Sequence, residues 1–528
     1  MANSKQAFNP FLPLNVCIPD GEPHVFGDRV YLYGSHDREG GYTFCMEDYE
    51  VYSAPVDDLS DWSSKGVSYK ASNDPLYDKY PYMYAPDCVQ GNDGKFYLYY
   101  SMSGDYGVGG YTNPISVAVS DNPDGPFEFL DIVRNPDGSP MMKYVCFDPA
   151  VMNDNGVIRL YYGTQYDFEE RDDFDTNPDY IKQEMDMFGR TKEEILSYED
   201  SIMGPVMLVL EDDMVTVKEN PRHIIPYRVK GTSFEAHPFF EASSIRKVGD
   251  KYYFVYSSMQ NHELCYAVSD YPDKDFEFRG TIVSNGDIGM PGINDANKLN
   301  MTGTTHGSIE CIKGEWYVFY HRLTHKSDYS RQACAEKIEI LPGDVINQVN
   351  ITSCGLNGGA LKGVGEYPAV IACNITNGKM PHGCNSIYGY DFPNVNNIGD
   401  ERFIASIENN TLIGYKYFDF KKLSTITLEV RIEDEDTCVK YEGPLRKDVR
   451  CETEGSEAQT TCDVQGMYFE VRTAIDGECK GSIDVADVLE SSSWVKIKSS
   501  VNIEDGVAPL YLTYFGSKKV QLKNIYLE

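Results

Sequence analysis

Long apolar runs are missing from this chain. No segment approaches 18 uninterrupted apolar residues, and the opening MANSKQAFNPFLPLNV has no apolar core of signal-peptide length. A membrane span is therefore not expected and no export signal is visible, so a cytoplasmic location is the expectation, with secretion as the alternative. Basic residues are scarce: 47 Lys and Arg stand against 82 Asp and Glu, for a formal charge of −35. Such a surface repels phosphate backbones and anionic membranes, which argues against nucleic-acid or lipid partners and leaves neutral substrates unpenalised. CxxC pairs are absent among the 14 cysteines. Cys88, Cys146, Cys265 and Cys311 sit in apolar strand runs, where a thiol acts as a small hydrophobe, and a reducing compartment is expected. Cys438, Cys451, Cys462 and Cys479 are more loosely placed and would be free to pair after export. Tryptophan is rare too, 3 against 40 tyrosines. A tyrosine excess suits β-strands and polar clefts in which a ring stacks on a sugar face while its hydroxyl hydrogen-bonds.

What is present is a repeat. GKFYLYYSMS followed by ISVAVSDNPDGPFEFLDIV (Gly94 to Val133) matches DKYYFVYSSM followed by LCYAVSDYPDKDFEFRGTIV (Asp250 to Val283). Each is an aromatic strand, an alternating strand ending in AVSD, a Pro/Asp turn and a strand opening FEF, which together make an antiparallel meander. The aromatic strand recurs as RVYLYGS, VIRLYYGT and EWYVFYHR. Five tandem sheet units predict an all-β chain whose first domain, residues 1–345, is a five-bladed β-propeller. After about Asn350 the pattern changes to short alternating strands such as TLIGYKYFDF, STITLEVRI and PLYLTYF. These predict a second domain over 346–528, a β-sandwich of jelly-roll type. Between Tyr166 and Ser201 an acidic stretch breaks the rhythm and reads as an insertion carrying short helices. TKEEILSYE is the best of them, with Thr191 as cap.

The stretch CIPDGEPHVFGDRVYLYGSHD (Cys17 to Asp37) sets the functional question, because Asp20 and Glu22 stand just before a strand that reads as buried. Two more acids hold such positions: Asp148 in CFDPAVMNDNGVIRLYYG and Glu241 in HPFFEASSIRKVGDKYYFVYS. A bare carboxylate in such surroundings is costly to bury, which favours a function, although acids also cap turns and pair with neighbours such as Arg246.

Taken together, PDGEPHVFGDRVYLYGS, YMYAPDCVQGNDGKFYLYYS, FDPAVMNDNGVIRLYYG, FFEASSIRKVGDKYYFVYSS and HGSIECIKGEWYVFYHR resemble the family 43 glycoside hydrolases, in order, over residues 10 to 340. The resemblance implies a five-bladed propeller and an inverting mechanism, with Asp20 as general base, Glu241 as general acid and Asp148 tuning the acid. The family's base is usually followed by Pro, whereas Gly21 follows Asp20 and Pro23 follows Glu22, so Glu22 is the rival base. Tyr84 matches a sugar-stacking aromatic, and Arg322 is a candidate for binding sugar hydroxyls. His306 matches a channel histidine that in many members lies near a bound calcium or water. No cofactor is required, and a structural calcium is the one ion the resemblance raises. The C-terminal region resembles family 6 carbohydrate-binding modules more loosely, with Trp494, Tyr415 and Tyr417 as candidate stacking rings. The resemblance implies release of terminal xylose or arabinofuranose from plant oligosaccharides. An endo-acting arabinanase and a non-catalytic glycan-binding protein are the alternatives.

Overall fold

The computed structural model describes residues 5–166, 177–384, 391–434, 437, 451–452, 466–486 and 492–528. The fold is all-β. Five antiparallel meanders follow one another along the chain. Their first strands are Glu22–Phe26, Tyr82–Gln90, Ala150–Asp154, Phe239–Val248 and Ser308–Ile312. The five aromatic runs are the second strand of each sheet, and the fifth sheet has three strands where the others have four. Each first strand lies beside those of the sheets before and after it, and the first sheet's lies beside the fifth's.

This packing follows from the residue pattern. The central strands carry apolar residues on both faces, so each sheet buries one face on each neighbour. Tyr99 and Val117 of the second sheet meet Leu160 and Leu208 of the third. Phe254 and Tyr256 of the fourth meet Tyr161 and Met207 of the third. The chain closes through Val30 and Leu32 of the first sheet on Phe319 and Ala335 of the fifth, with N-terminal Ala7 and Leu12 added to that layer.

Among its described residues the insertion holds two helices, α1 (Pro178–Phe188) and α2 (Lys192–Ile195). Asn177 caps α1 by accepting the Asp179 N–H, and Gly189 ends it in the left-handed region. Thr191 and Glu194 form a reciprocal capping box on α2, as the sequence predicted. Residues 167–176 of the insertion lie outside the described residues.

Among the described residues the remaining chain forms two six-stranded sheets and two short two-stranded pairs. The six-stranded sheets share one core of residues such as Phe418, Phe420, Leu428, Phe469, Leu512 and Ile525. Tyr415 belongs to that core: it is fully buried and its hydroxyl donates to the Ala369 carbonyl. It therefore cannot stack on sugar, and Tyr417 packs against the same core. The Trp494 ring is covered by the Arg431 guanidinium at 4.2 Å, and its indole N–H donates to Glu401. The ten cysteines whose side chains are described are free thiols, and all but Cys311 and exposed Cys479 are buried. Cys438, Cys462 and the side chains of Cys384 and Cys451 lie outside the described residues.

Candidate active site

The first strands deliver the acids. Asp20 and Asp148 each stand two residues ahead of a first strand, with φ of 58° and 45°. Glu241 lies within its strand, where the register shifts on both sides of it and Ala242 takes φ 69°. That bulge turns the Ala242 N–H onto Asp148 Oδ2 at 3.0 Å, so one acid anchors the backbone beside another. His306, just ahead of the fifth sheet, places Nδ1 3.7 Å from Asp148 and 3.9 Å from Asp20. Residues 286 positions apart in the chain thus meet at one imidazole.

Their environments differ. Asp20 is buried, which opposes its charge, yet the adjoining Arg331 guanidinium holds its carboxyl well below the usual carboxylate range. Arg331 Nη1 donates to Asp20 Oδ1 at 2.9 Å, and the Ser35 hydroxyl donates to Oδ2 at 2.6 Å. His321 Nε2 donates to the Thr304 carbonyl at 2.8 Å, leaving Nδ1 to accept the Asp20 N–H at 3.3 Å. Glu241 is pushed up to about 8, first by burial and then by the Asp20 charge. Asp148 is also pushed well up, by burial and by Glu241 and Asp20. Glu241 therefore retains a proton at neutral pH while Asp20 is ionised. Of the three, Glu241 alone is partly exposed, so it is the one that can hand a proton to a bound molecule.

Glu22, only two residues from Asp20, has different partners. Its Oε2 accepts from Arg246 at 2.8 Å and from the Ser244 hydroxyl at 3.1 Å. Burial raises it to about 8 despite Arg246.

An aromatic wall covers the trio. Phe147 packs edge-on to Tyr111 at 4.7 Å, Tyr111 meets Tyr166, and Tyr166 meets Phe240 at 5.5 Å. The insertion contributes Phe188 of α1, set against Tyr111 at 6.1 Å. Tyr84 sits in this wall beside Phe147 and Phe44.

Similarity to known proteins agrees with this geometry. The Glycosyl hydrolases family 43 model matches residues 9–201. A xylosidase/arabinosidase of Thermoclostridium stercorarium is 39% identical over 544 residues, spanning 99% of both chains. The chain belongs to glycoside hydrolase family 43. Xylosidase/arabinosidase 43A of Humicola insolens is 31% identical over 61% of this chain and 94% of its own. The solved GH43_1 enzyme of Xanthomonas citri complexed with xylose is 25% identical over 67% of this chain and 96% of its own, with a TM-score of 0.49. This family 43 chain is a glycosidase.

Within the family 43 site, Arg322 is not where the sequence reading put it. Its Nε donates to Cys334 Sγ and its Nη1 to the Ala372 carbonyl at 3.1 Å. It lines a cavity of about 20 Å³ with Asn285, Met301, Met380 and Phe392, against the C-terminal sheets. The arginine at the acids is Arg331, nine residues on. Sequence reasoning missed it and its second partner, Asp37, because SRQAC carries no motif. The one local signal was the acid closing GSHD after the first aromatic strand.

His306 stands between Asp20 and Asp148. Burial pushes it down to about 4, so it is a neutral imidazole. Glu22, His24 and Asp87 bring ligand atoms within 4.8 Å of one another. Arg246 and the 2.6 Å His24–Asp87 contact already engage them.

Proposed function

We propose that this chain is an inverting exo-glycosidase that releases terminal xylose or arabinofuranose from plant hemicellulose oligosaccharides. Its five meanders are the blades of a β-propeller over 1–345, and residues 346–528 form a β-sandwich resembling a carbohydrate-binding module. The observation that carries the reading is the split in charge within one site, with Asp20 held ionised by Arg331 while Glu241 is raised to about 8. Two carboxyl groups whose surroundings push their proton affinities apart are an acid and a base. Relatives named xylosidase/arabinosidase support the choice of pentose.

In this mechanism the Asp20 carboxylate takes a proton from a water, whose oxygen attacks the anomeric carbon. The glycosidic bond breaks on the opposite face, and the leaving oxygen receives the Glu241 proton. An inverting enzyme keeps its two carboxyls roughly 6.5–9.5 Å apart to admit that water. Asp148 holds the Ala242 N–H, fixing the backbone next to the acid, while burial and the Asp20 charge keep Glu241 protonated. No step calls for a cofactor. The wall of Phe147, Tyr111, Tyr166 and Phe188 closes one side of the site, which favours a chain end over the middle of a polymer.

The test is hydrolysis of aryl β-xyloside and aryl α-arabinofuranoside, with the anomer of the released sugar read by NMR. Glu241→Gln and Asp20→Asn should each reduce turnover by at least about a hundredfold with the fold intact. Retained activity in either variant, or a product of unchanged anomeric configuration, would overturn the reading.

A further inference from the structure

Asp37 lies outside the trio, yet its carboxylate takes four donors. The Cys45 N–H reaches Oδ1 at 2.9 Å, and Arg331 Nη2 reaches it at 3.0 Å. Arg331 Nε reaches Oδ2 at 2.9 Å and the Arg331 backbone N–H at 3.1 Å. The Arg331 Nη1 that remains spans both Asp20 oxygens, at 2.9 and 3.2 Å. Phe44 covers the guanidinium face at 4.7 Å. Arg331 is 4% exposed and Asp37 1%. One buried cation is therefore shared by two carboxylates, and one of those must become neutral in every turnover.

We propose that Asp37 is a positioning residue for hydrolysis: it keeps the Arg331 guanidinium paired and aimed while Asp20 takes the proton of the attacking water. This rests on Asp20 being the base. When Asp20 becomes a neutral carboxylic acid, Arg331 loses its ionic partner on that side. A buried guanidinium with no carboxylate is costly, and that cost would be added to the transition state. Asp37 removes it, because its two hydrogen bonds to Nε and Nη2 persist throughout. It also holds part of the guanidinium's charge away from Asp20, so that Asp20 is ionised yet still attracts a proton. The other groups around Asp20 cannot substitute. Ser35 is neutral, His321 has Nε2 committed to Thr304, His306 stands 3.9 Å off, and the Arg331 side-chain N–H groups go to Asp20, Asp37 and Cys45 rather than to Asp148 or Glu241.

Asp37→Asn would turn an amide N–H₂ toward Arg331 or Cys45 donors and drive the guanidinium wholly onto Asp20. The expected result is a kcat lowered at least about tenfold, with KM on aryl xyloside within about twofold of the parent. A double-mutant cycle separates this from a purely structural role. In an Asp20→Asn background, Asp37→Asn should cost nothing further, because no base remains to be protonated. Asp37→Ser is carried in parallel, with melting and xylose inhibition measured on each variant. Unchanged kcat, a loss confined to KM, or an equal loss in the Asp20→Asn background would overturn the proposal. Failure of both Asp37 variants to fold would assign the residue to stability alone and overturn it too. Full activity in Asp20→Asn by itself would instead overturn the base assignment.

Discussion

At the scale of single residues, two charges decide the chemistry, and each makes a prediction. Glu241 must be protonated to serve as acid, and its proton is lost as pH rises through about 8. Asp20 must be ionised, and Arg331 keeps it so to well below the usual carboxylate range. Activity therefore holds on the acid side and falls on the alkaline side. A profile of kcat/KM from pH 5 to 10 on an aryl xyloside should decline with a midpoint near 8, and a flat profile to pH 10 would contradict the assignment. Glu22 makes the opposite prediction. Glu22→Gln should leave the pH profile in place but lower stability by about 1–3 kcal/mol, because it removes a buried acceptor of the Arg246 guanidinium and the Ser244 hydroxyl. Urea unfolding beside the activity assay tells the two effects apart. The sequence showed three acids ahead of three aromatic strands, and that was enough to find the trio. It could not rank Asp20 over Glu22 except by register, since the partners that separate them, Arg331 and Arg246, lie 311 and 224 residues away.

At the scale of elements, the site is made by strained strand heads. Asp20, Ala85, Asp148 and Ala242 all take positive φ at or near the start of the first four sheets' leading strands, where L-residues pay about 1–2 kcal/mol each. Fixed acceptors hold them there: Ser35 Oγ takes the Ala85 N–H at 2.8 Å, and Asp148 takes that of Ala242 at 3.0 Å. The fifth sheet solves the same junction with Gly307, where an added Cβ would lie 1.9 Å from the Phe319 carbonyl oxygen. Backbone cannot yield there, so Gly307→Ala should destabilise by about 3 kcal/mol or more, read as a lowered denaturation midpoint. A neutral result would mean that the strand pair is looser than drawn. None of this strain was legible, because a non-glycine in the left-handed region leaves no mark in composition. The error over Arg322 has the same scale. Arg322 faces Gln332 and Arg331 faces Leu323 across one strand pair. Adjacent rungs point to opposite faces, so a one-rung choice moved the cation from the acids to the seam with the C-terminal sheets.

At the scale of the whole molecule, the five meanders and the C-terminal sheets are fastened too deeply to behave as separate bodies. The N-terminal segment is one tie. Asn9 donates to the Ala335 carbonyl, to Glu336 at 2.9 Å and to the Thr352 carbonyl, while its own N–H reaches Ser353. Phe8 beside it packs on the C-terminal core. A second tie is the buried ion pair of Lys416 with Asp287 at 2.6 Å, where Asp287 also accepts from Asn374 and from the Ile351 N–H. Lys416 and Asp287 are 129 residues apart, which is why repeats and strand patterns revealed both halves but nothing of their seam. A third tie, Glu39 with Arg402 at 2.6 Å, starts two residues from Asp37. Interfaces that bury paired charge in this way couple the stability of the parts they join. Calorimetry should therefore show one cooperative transition for the full chain. Lys416→Met should move that whole transition down, because it leaves Asp287 buried with neutral donors alone. Two separate transitions, or a shift confined to one of them, would show that the seam transmits no stability and that the catalytic sheets stand without their C-terminal neighbour.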